Sequence, residues 1–455
     1  MRYKSTFLIG ICFAAAYAQS APQQIEHPTP PPDLLKEIAG KPAIQLDQFR
    51  QFALAANPTL QQANALIRQS AALARQAGLL PNPAVGYEGS EIRGGSFRGG
   101  EQGAFVQQTF VLGGKLKLRG NVFEAQQRED EFAAAEQRSR VLSDVAQSYY
   151  LVLAAQELVK VRRNLVDLAN DAVETAHQLA NVGQADAPDV LQAEVEAEQA
   201  AVDYTTAQRT YIQEFRMLAA LAGKPDLPLS PLAGDLQNPP AIDADRIVND
   251  IIHDSPSIKR ARQAVVHAET ELKSTGRESV PDLQIRAGLQ QDFEPLNGST
   301  GTAVGAQGFV TASVTLPIFN RNQGNVAAAK ADLERARAEL ERVQLSIRRG
   351  AEPLLQAYLS GRAEAERYEN EMIPRATRAY QLYLAKYRQM GAAYPQVIVS
   401  QRTLFQLQAA YVAVLQNVWS NAIALQNYTL SGGLDAPMPS RTTASGLNPP
   451  NSSTP

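Results

Sequence analysis

Two hydrophobic periods divide this chain. Leu283, Ile285, Ala287 and Leu289 alternate with Gln284, Arg286, Gly288 and Gln290; Val310, Ala312, Val314 and Leu316 alternate with Thr311, Ser313 and Thr315. A period of two with one apolar face is that of β-strands, so strands are predicted over 283–291 and 308–316, joined by the polar, Gly-rich stretch 292–307. A fainter copy comes earlier. Val85-Gly86-Tyr87 and residues 105–111 flank a stretch, 91–103, that holds Gly94, Gly95, Gly99 and Gly100. That pattern predicts strands over 83–91 and 104–112.

Elsewhere the period is near 3.5. Leu151, Ala154, Leu158, Val161, Leu165, Leu168, Ala172, Thr175, Leu179 and Val182 step by threes and fours, and Ala329, Leu333, Ala336, Leu340, Val343 and Ile347 do the same between charged flanks. Narrow apolar seams of this kind belong to helices paired as coiled coils rather than wrapped round a thick core. No proline interrupts 115–180. One continuous helix there would be about 100 Å long at ~1.5 Å per residue.

The plan occurs twice. Asn57-Pro58-Thr59-Leu60 corresponds to Ser255-Pro256-Ser257-Ile258, a Pro-started helix with a residue able to cap it. Leu80-Pro81-Asn82-Pro83 corresponds to Val280-Pro281-Asp282-Leu283, a helix stop leading into a strand. Gly120-Asn121 aligns with Gly324-Asn325 at the start of a long helix. Val182-Gly183 aligns with Met390-Gly391, each followed by a proline, Pro188 and Pro395, that opens the return helix. A first repeat is read over 46–230, with its tip at 182–188, and a second over 243–432, with its tip at 390–395. Segments 19–45 and 231–242 are read as linkers, and 433–455 as a disordered tail.

Composition adds the compartment. Arg2 and Lys4 precede an apolar run at 7–16 and the small-residue end Ala16-Tyr17-Ala18, the pattern of a signal peptide over 1–18. Ile11 before Cys12, and the apolar run past it, argue against a lipoprotein signal. Cys12 is the one cysteine. The exported chain is therefore expected to carry no thiol, and it is about two units more acidic than the formal charge of −3. Nothing points to nucleic-acid binding. His27, His177, His253 and His267 lack the short spacings of a metal site and read as surface positions. Nucleophile, base and orienting group do not converge anywhere, so neither enzymatic chemistry nor a cofactor is expected.

Past residue 18 no apolar run approaches the roughly 18–20 residues of a membrane-spanning helix. A membrane crossing would have to use the strands. Four strands cannot close a membrane barrel, since small ones use about eight, so a barrel would be shared between subunits. A half-exposed soluble hairpin and a coiled-coil rod have the same local patterns and remain open on these residues alone.

Two segments carry a family resemblance. Gln107-Gln108-Thr109-Phe110-Val111-Leu112-Gly113-Gly114-Lys115 and Leu316-Pro317-Ile318-Phe319-Asn320-Arg321-Asn322-Gln323-Gly324 resemble the two strand-to-helix turns of TolC-like outer-membrane factors, nearest to the heavy-metal RND efflux branch. The likeness runs over about 46–430. It implies a mainly α protein with a membrane β-barrel portion: duplicated long-helix coiled-coil hairpins plus four strands per subunit, assembled as a trimeric α/β-barrel channel in outer-membrane lipid. It also implies a periplasmic adaptor (membrane fusion protein) and an inner-membrane pump as partners. The tips, Val182, Gly183, Gln184, Met390, Gly391 and Ala392, would meet the adaptor, and an aperture would form nearby.

At the aperture the chain departs from the family. The stretch after the second tip, starting at Gln396, lacks the usual Asp residues, and only Asp186 and Asp189 remain near the first. The function implied is an exit duct for small molecules or metal cations. A channel for secreted proteins shares every one of these features, and a periplasmic coiled-coil adaptor shares the helices.

Overall fold

The computed structural model describes residues 34–92, 100–183, 185–299, 303–389 and 394–437. The predicted signal peptide, most of the predicted tail, and Gln184, Met390, Gly391 and Ala392 lie outside them. The chain runs α1 (Leu34–Ile38), α2 (Leu46–Ala56), α3 (Pro58–Ala77), β1 (Ala84–Ser90), β2 (Glu101–Phe110), α4 (Lys115–Asn181), α5 (Ala187–Leu221), α6 (Ile247–Asp254), α7 (Pro256–Arg277), β3 (Leu283–Ser299), β4 (Ala303–Val314) and α8 (Gln323–Arg367). A π-helical turn (Tyr368–Met372), α9 (Ile373–Arg388) and α10 (Tyr394–Gln426) follow.

Helix α4 is unbroken for 67 residues, about 100 Å at ~1.5 Å per residue. It ends where Gly183 takes φ +73° and its N–H donates to the Ala180 carbonyl at 2.9 Å, a left-handed stop that glycine adopts without steric cost. The second long helix is not continuous. Pro374, second residue of α9, has no N–H to give and would crowd the carbonyl four residues back; the π turn just before it opens the ladder.

The order of helix, two strands, long helix and return helix occurs twice, but one expected pairing shifts. Gly120 lies inside α4 as its sixth residue, whereas Gly324 is the second residue of α8. The equivalent positions are the helix caps, Gly114 (φ +71°) and Asn322 (φ +62°), both left-handed. Asn57 caps α3 through its side chain, which accepts from Thr59 N at 2.9 Å. Ser255 does not: its buried hydroxyl has no partner among the described residues.

Strand ends also differ from expectation. β1 and β2 stop at Ser90 and Phe110, and β2 starts at Glu101, inside the stretch read as loop. β3 and β4 extend through most of the expected 292–307 loop, because backbone pairing needs no side-chain pattern. The four strands form one antiparallel meander, β1-β2-β3-β4. The β2–β3 ladder has ten consecutive pairs, Glu101↔Asp292 to Phe110↔Leu283, and joins the two repeats into one sheet.

The main core surrounds the middle of α4. Val145, Val152 and Val159 are fully buried there, one heptad apart, with Tyr149, Tyr211 and Phe215 beside them. The predicted seam is buried only in part: its Ala154 and Ala172 are buried, but its Leu151, Leu158, Val161, Leu165 and Leu168 are half-buried, so the phase of the main stripe is corrected. The period survives. The phase moves because α2, α5 and α10 all pack on this stretch, so it buries more than one stripe.

Both predicted linkers contribute to that core. Leu34 and Ile38 are buried, Ile44 bridges to Leu232 in parallel, and Leu232 and Leu236 are buried. Tyr149 donates to the carbonyls of Ala233 and Ile44, and Trp419 Nε1 donates to Leu236 O at 2.7 Å. The start of the expected tail is also held: Asp144 Oδ2 accepts from Gly432 N at 3.0 Å and Gly433 N at 2.6 Å. Their buried apolar residues, and side chains of α4 and α10 bonded to their backbone groups, hold the segments in place.

Candidate channel elements: the sheet, the strand-to-helix turns and the helical tips

The register fixes the sheet faces. Val85, Val106, Ala287 and Val310 form one row across the four strands, so the apolar residues of all strands share a face. That face is the bare one: Val85, Leu289 and Val310 are 76%, 75% and 77% exposed. A sheet packed in water buries its apolar face, and this one is inverted. Among the described residues no helix is long and apolar enough to cross a membrane.

The opposite face carries Glu88, Gln107, Gln284, Arg286, Gln290, Thr311 and Ser313. Phe105 and Phe309 also lie there, an exception to the alternation. Arg286 stacks over the Phe105 ring at 3.9 Å and ion-pairs with Glu88 across β2. Gly288 admits the aromatic rings: a Cβ there would sit 2.7 Å from Phe309 and 2.5 Å from the Ala104 carbonyl.

At one end of the sheet both strand-to-helix turns are fastened to the end of α7 and the segment linking it to β3. Gly113, with φ +71°, passes so close that a Cβ would meet Val280 at 2.9 Å. Lys115 is buried; its Nζ donates to Val280 O at 2.8 Å and pairs with Asp282 at 2.6 Å. Asp282 also accepts from Leu112 N at 3.0 Å. One turn further on, Arg119 makes a two-pronged bond to Glu278 at 2.8 and 2.6 Å. That bond holds the guanidinium's pKa above its ordinary value despite partial burial.

The second turn is a chain of local bonds. Ile318 N donates to Leu316 O around Pro317, Asn322 N to Asn320 Oδ1, and Arg321 N to Gln323 Oε1. Asn322 Nδ2 then reaches Thr275 O at 2.8 Å, near the end of α7. Gly324 lies in open space. Thus Gly113, Gly114, Lys115 and the 317–324 turn converge on 275–282.

About 100 Å of helix away, the tips sit side by side. Ala176 and Ala193 of the first hairpin pack with Tyr380, Tyr387, Val397 and Leu404 of the second. Val182 is exposed, and among the described residues no atom lies within 4 Å of a Cβ position at Gly183. Asp186 caps α5 through its backbone carbonyl, which accepts from Asp189 N at 3.0 Å. Burial, helped by Asp189, pushes the Tyr387 hydroxyl pKa up. Gln396 is exposed in the first turn of α10.

The profile of the family named Outer membrane efflux protein matches residues 50–224 and 247–429. The chain belongs to this family. It is 24% identical over 390 residues to the cobalt-zinc-cadmium resistance protein CzcC of Cupriavidus metallidurans, covering 86% of this chain and 90% of that one. It is 25% identical over 360 residues to the toluene efflux pump outer membrane protein TtgC of Pseudomonas putida, covering 72% and 71%. The solved channel CusC superposes with a TM-score of 0.71 at 19% identity, over 85% of this chain and 92% of that one. As an outer membrane efflux protein, the chain is a transport component placed in the outer membrane.

The sequence missed the groups that hold this efflux protein's turns. Asp282 was singled out as part of a helix stop, but nothing local shows its bond to Lys115, and Glu278 carried no signal. His267 is corrected from surface to core: it is 5% exposed and its Nδ1 lies 3.0 Å from Glu129. His177 and His253 are at the surface beside Glu194 and Asp254; His27 lies outside the described residues.

Proposed function

We propose that three copies of this outer membrane efflux protein, each giving its four strands, close one twelve-stranded barrel around an exit duct. The observation that carries this reading is the inverted sheet. Its apolar face is bare, and its edge strands β1 and β4 have no outer neighbour among the described residues. Lipid satisfies the first and neighbouring copies the second. The polar face, with Arg286 and Glu88, then lines the lumen, and α4, α5 and α8 to α10 extend the duct into the periplasm.

The tips at Val182–Gly183 and beyond Gln389 are the docking ends for a periplasmic adaptor, through which an inner-membrane pump feeds the duct. Asp186, Asp189 and Gln396 sit where an aperture would form. The cargo is small molecules or metal cations, in keeping with the metal and toluene exporters that the chain resembles. The test is the mass of the detergent-solubilised protein by light scattering. A trimer is expected; a monodisperse monomer, soluble without detergent, overturns the reading.

A further inference from the structure

The most exposed large apolar side chain described is not on the sheet. It is Phe319, 92% exposed, in the turn between β4 and α8. Leu316 and Ile318 beside it are 66% and 61% exposed, and Leu79 and Leu80, in the turn between α3 and β1, are 59% and 63% exposed. Both turns lie at the same end of the sheet, where strands pass into helices.

The turn is built to present these side chains. Ile318 N folds back to Leu316 O, Arg321 Nε bonds the Ile318 carbonyl at 3.2 Å, and Gln323 Nε2 bonds the Phe319 carbonyl at 3.4 Å. The Ile318 N–H and the carbonyls of Ile318 and Phe319 are therefore bonded while the Phe319 ring stands free. Leu316 lies two residues past the end of β4, whose Val310, Ala312 and Val314 share the bare face, and is itself exposed, so apolar surface continues from the sheet into the turn. Charge then appears at once: Arg321, Lys117 and Arg277 are exposed around the same junction. An aromatic and aliphatic rim bordered by cations matches the depth profile of a bilayer interface, where rings lie at the headgroup boundary and basic side chains reach lipid phosphate.

We propose that Leu316, Ile318 and Phe319, with Leu79 and Leu80, form an interfacial collar. It inserts into the periplasm-facing leaflet of the outer membrane and fixes how deep the sheet sits, with Arg321 meeting lipid phosphate. The proposal rests on the barrel reading above.

The test uses tryptophan depth. The chain has one tryptophan, Trp419, stacked on Tyr150 inside the core, which gives a constant background. Phe319→Trp and Val310→Trp are each placed in the full-length protein, purified, and reconstituted in phosphatidylcholine vesicles brominated either near the headgroup or deep in the chains.

For Phe319→Trp, quenching by the shallow bromines is expected to exceed that by the deep ones about twofold, with the order reversed for Val310→Trp. If Val310→Trp is quenched and Phe319→Trp matches the parent, the sheet is in lipid but the collar is not, and the proposal falls alone. A second copy covering Phe319 would give that same result. If neither is quenched, the barrel reading falls and the collar with it. Ile318→Trp gives the same measurement should Phe319→Trp fail to assemble.

Discussion

Lys115 Nζ and Asp282 Oδ1 lie 2.6 Å apart, tying the first residue of the 67-residue helix to the threshold of a strand in the other repeat. The lysine side chain is 4% exposed and the aspartate 32%, so water stabilises one partner and not the other. The pair sits where the sheet meets the helices, and Gly113 packs against the same segment.

Lys115→Met is expected to destabilise the protein by about 1–3 kcal/mol, because Asp282 and the Val280 carbonyl lose a buried donor while the part-exposed carboxylate keeps some water. Asp282→Asn, which still accepts from Leu112 N, should cost less. The double variant should fall short of the sum, since both remove one interaction. Thermal midpoints of the solubilised protein, compared in a double-mutant cycle, check this; full additivity would mean the pair is not coupled.

The face assignment predicts a contrast between neighbours on β4. Val310→Arg puts a charge on the bare apolar face and should cost about 2–4 kcal/mol near the bilayer midplane. Thr311→Arg, on the face shared with Arg286, should assemble close to wild type. Val314 faces as Val310 does, but Thr315, expected from the alternation to be in the strand, lies past its end and makes a poor control. Equal trimer yields for the two variants would overturn the face assignment.

The alternation of Leu283 to Gln290 was enough to place β3 and its faces, because a period of two can be read from side chains alone. The reach of β3 to Ser299 was not, because the ladder there is made by backbone groups in a Gly-rich stretch. Likewise α4 was legible from a proline-free seam, while the seam's phase depended on how many elements pack against it. The turns at Gly113–Lys115 and Pro317–Gly324 were visible as motifs. Their anchors, Asp282, Glu278 and Thr275, come from the other side of the junction, and contacts across 47 to 170 positions have no local signature.

Asp144 predicts a dependence on pH. Burial pushes its carboxyl pKa above the ordinary range and nearby Asp435 adds to this, against the opposing N–H groups of Gly433 and Gly432 and the charge of Arg140. The folded pKa thus lies above the unfolded one. Between the two the folded chain holds more protons, so this group's contribution to stability falls as pH rises through that window, then levels off. Asp144→Asn keeps an acceptor for Gly432 and Gly433 but cannot titrate. Its thermal midpoint relative to wild type should therefore rise from about pH 4 upward, starting near the ordinary aspartate pKa. A pH-independent difference would show that Asp144 titrates normally.

The tip offers the sharpest separation of assembly from docking. Gly183 holds φ +73° and, among the described residues, nothing lies within 4 Å of a Cβ there, so the cost of valine falls on its backbone, about 1 kcal/mol or more. That strain is local. The Ala176–Tyr387 cluster that joins the two hairpins begins a full helical turn or more away, and the sheet lies at the other end of α4. Trimer yield for Gly183→Val should match wild type, whereas bulk and a shifted turn at the exposed Val182 should weaken the proposed adaptor contact. Gly183→Ala carries a similar backbone penalty with less bulk and separates the two causes. The measurement is adaptor co-purification beside trimer yield, with resistance to exported compounds in the same cells. Normal trimers with unchanged adaptor recovery in Gly183→Val would mean that this tip only reverses the chain and that docking lies elsewhere.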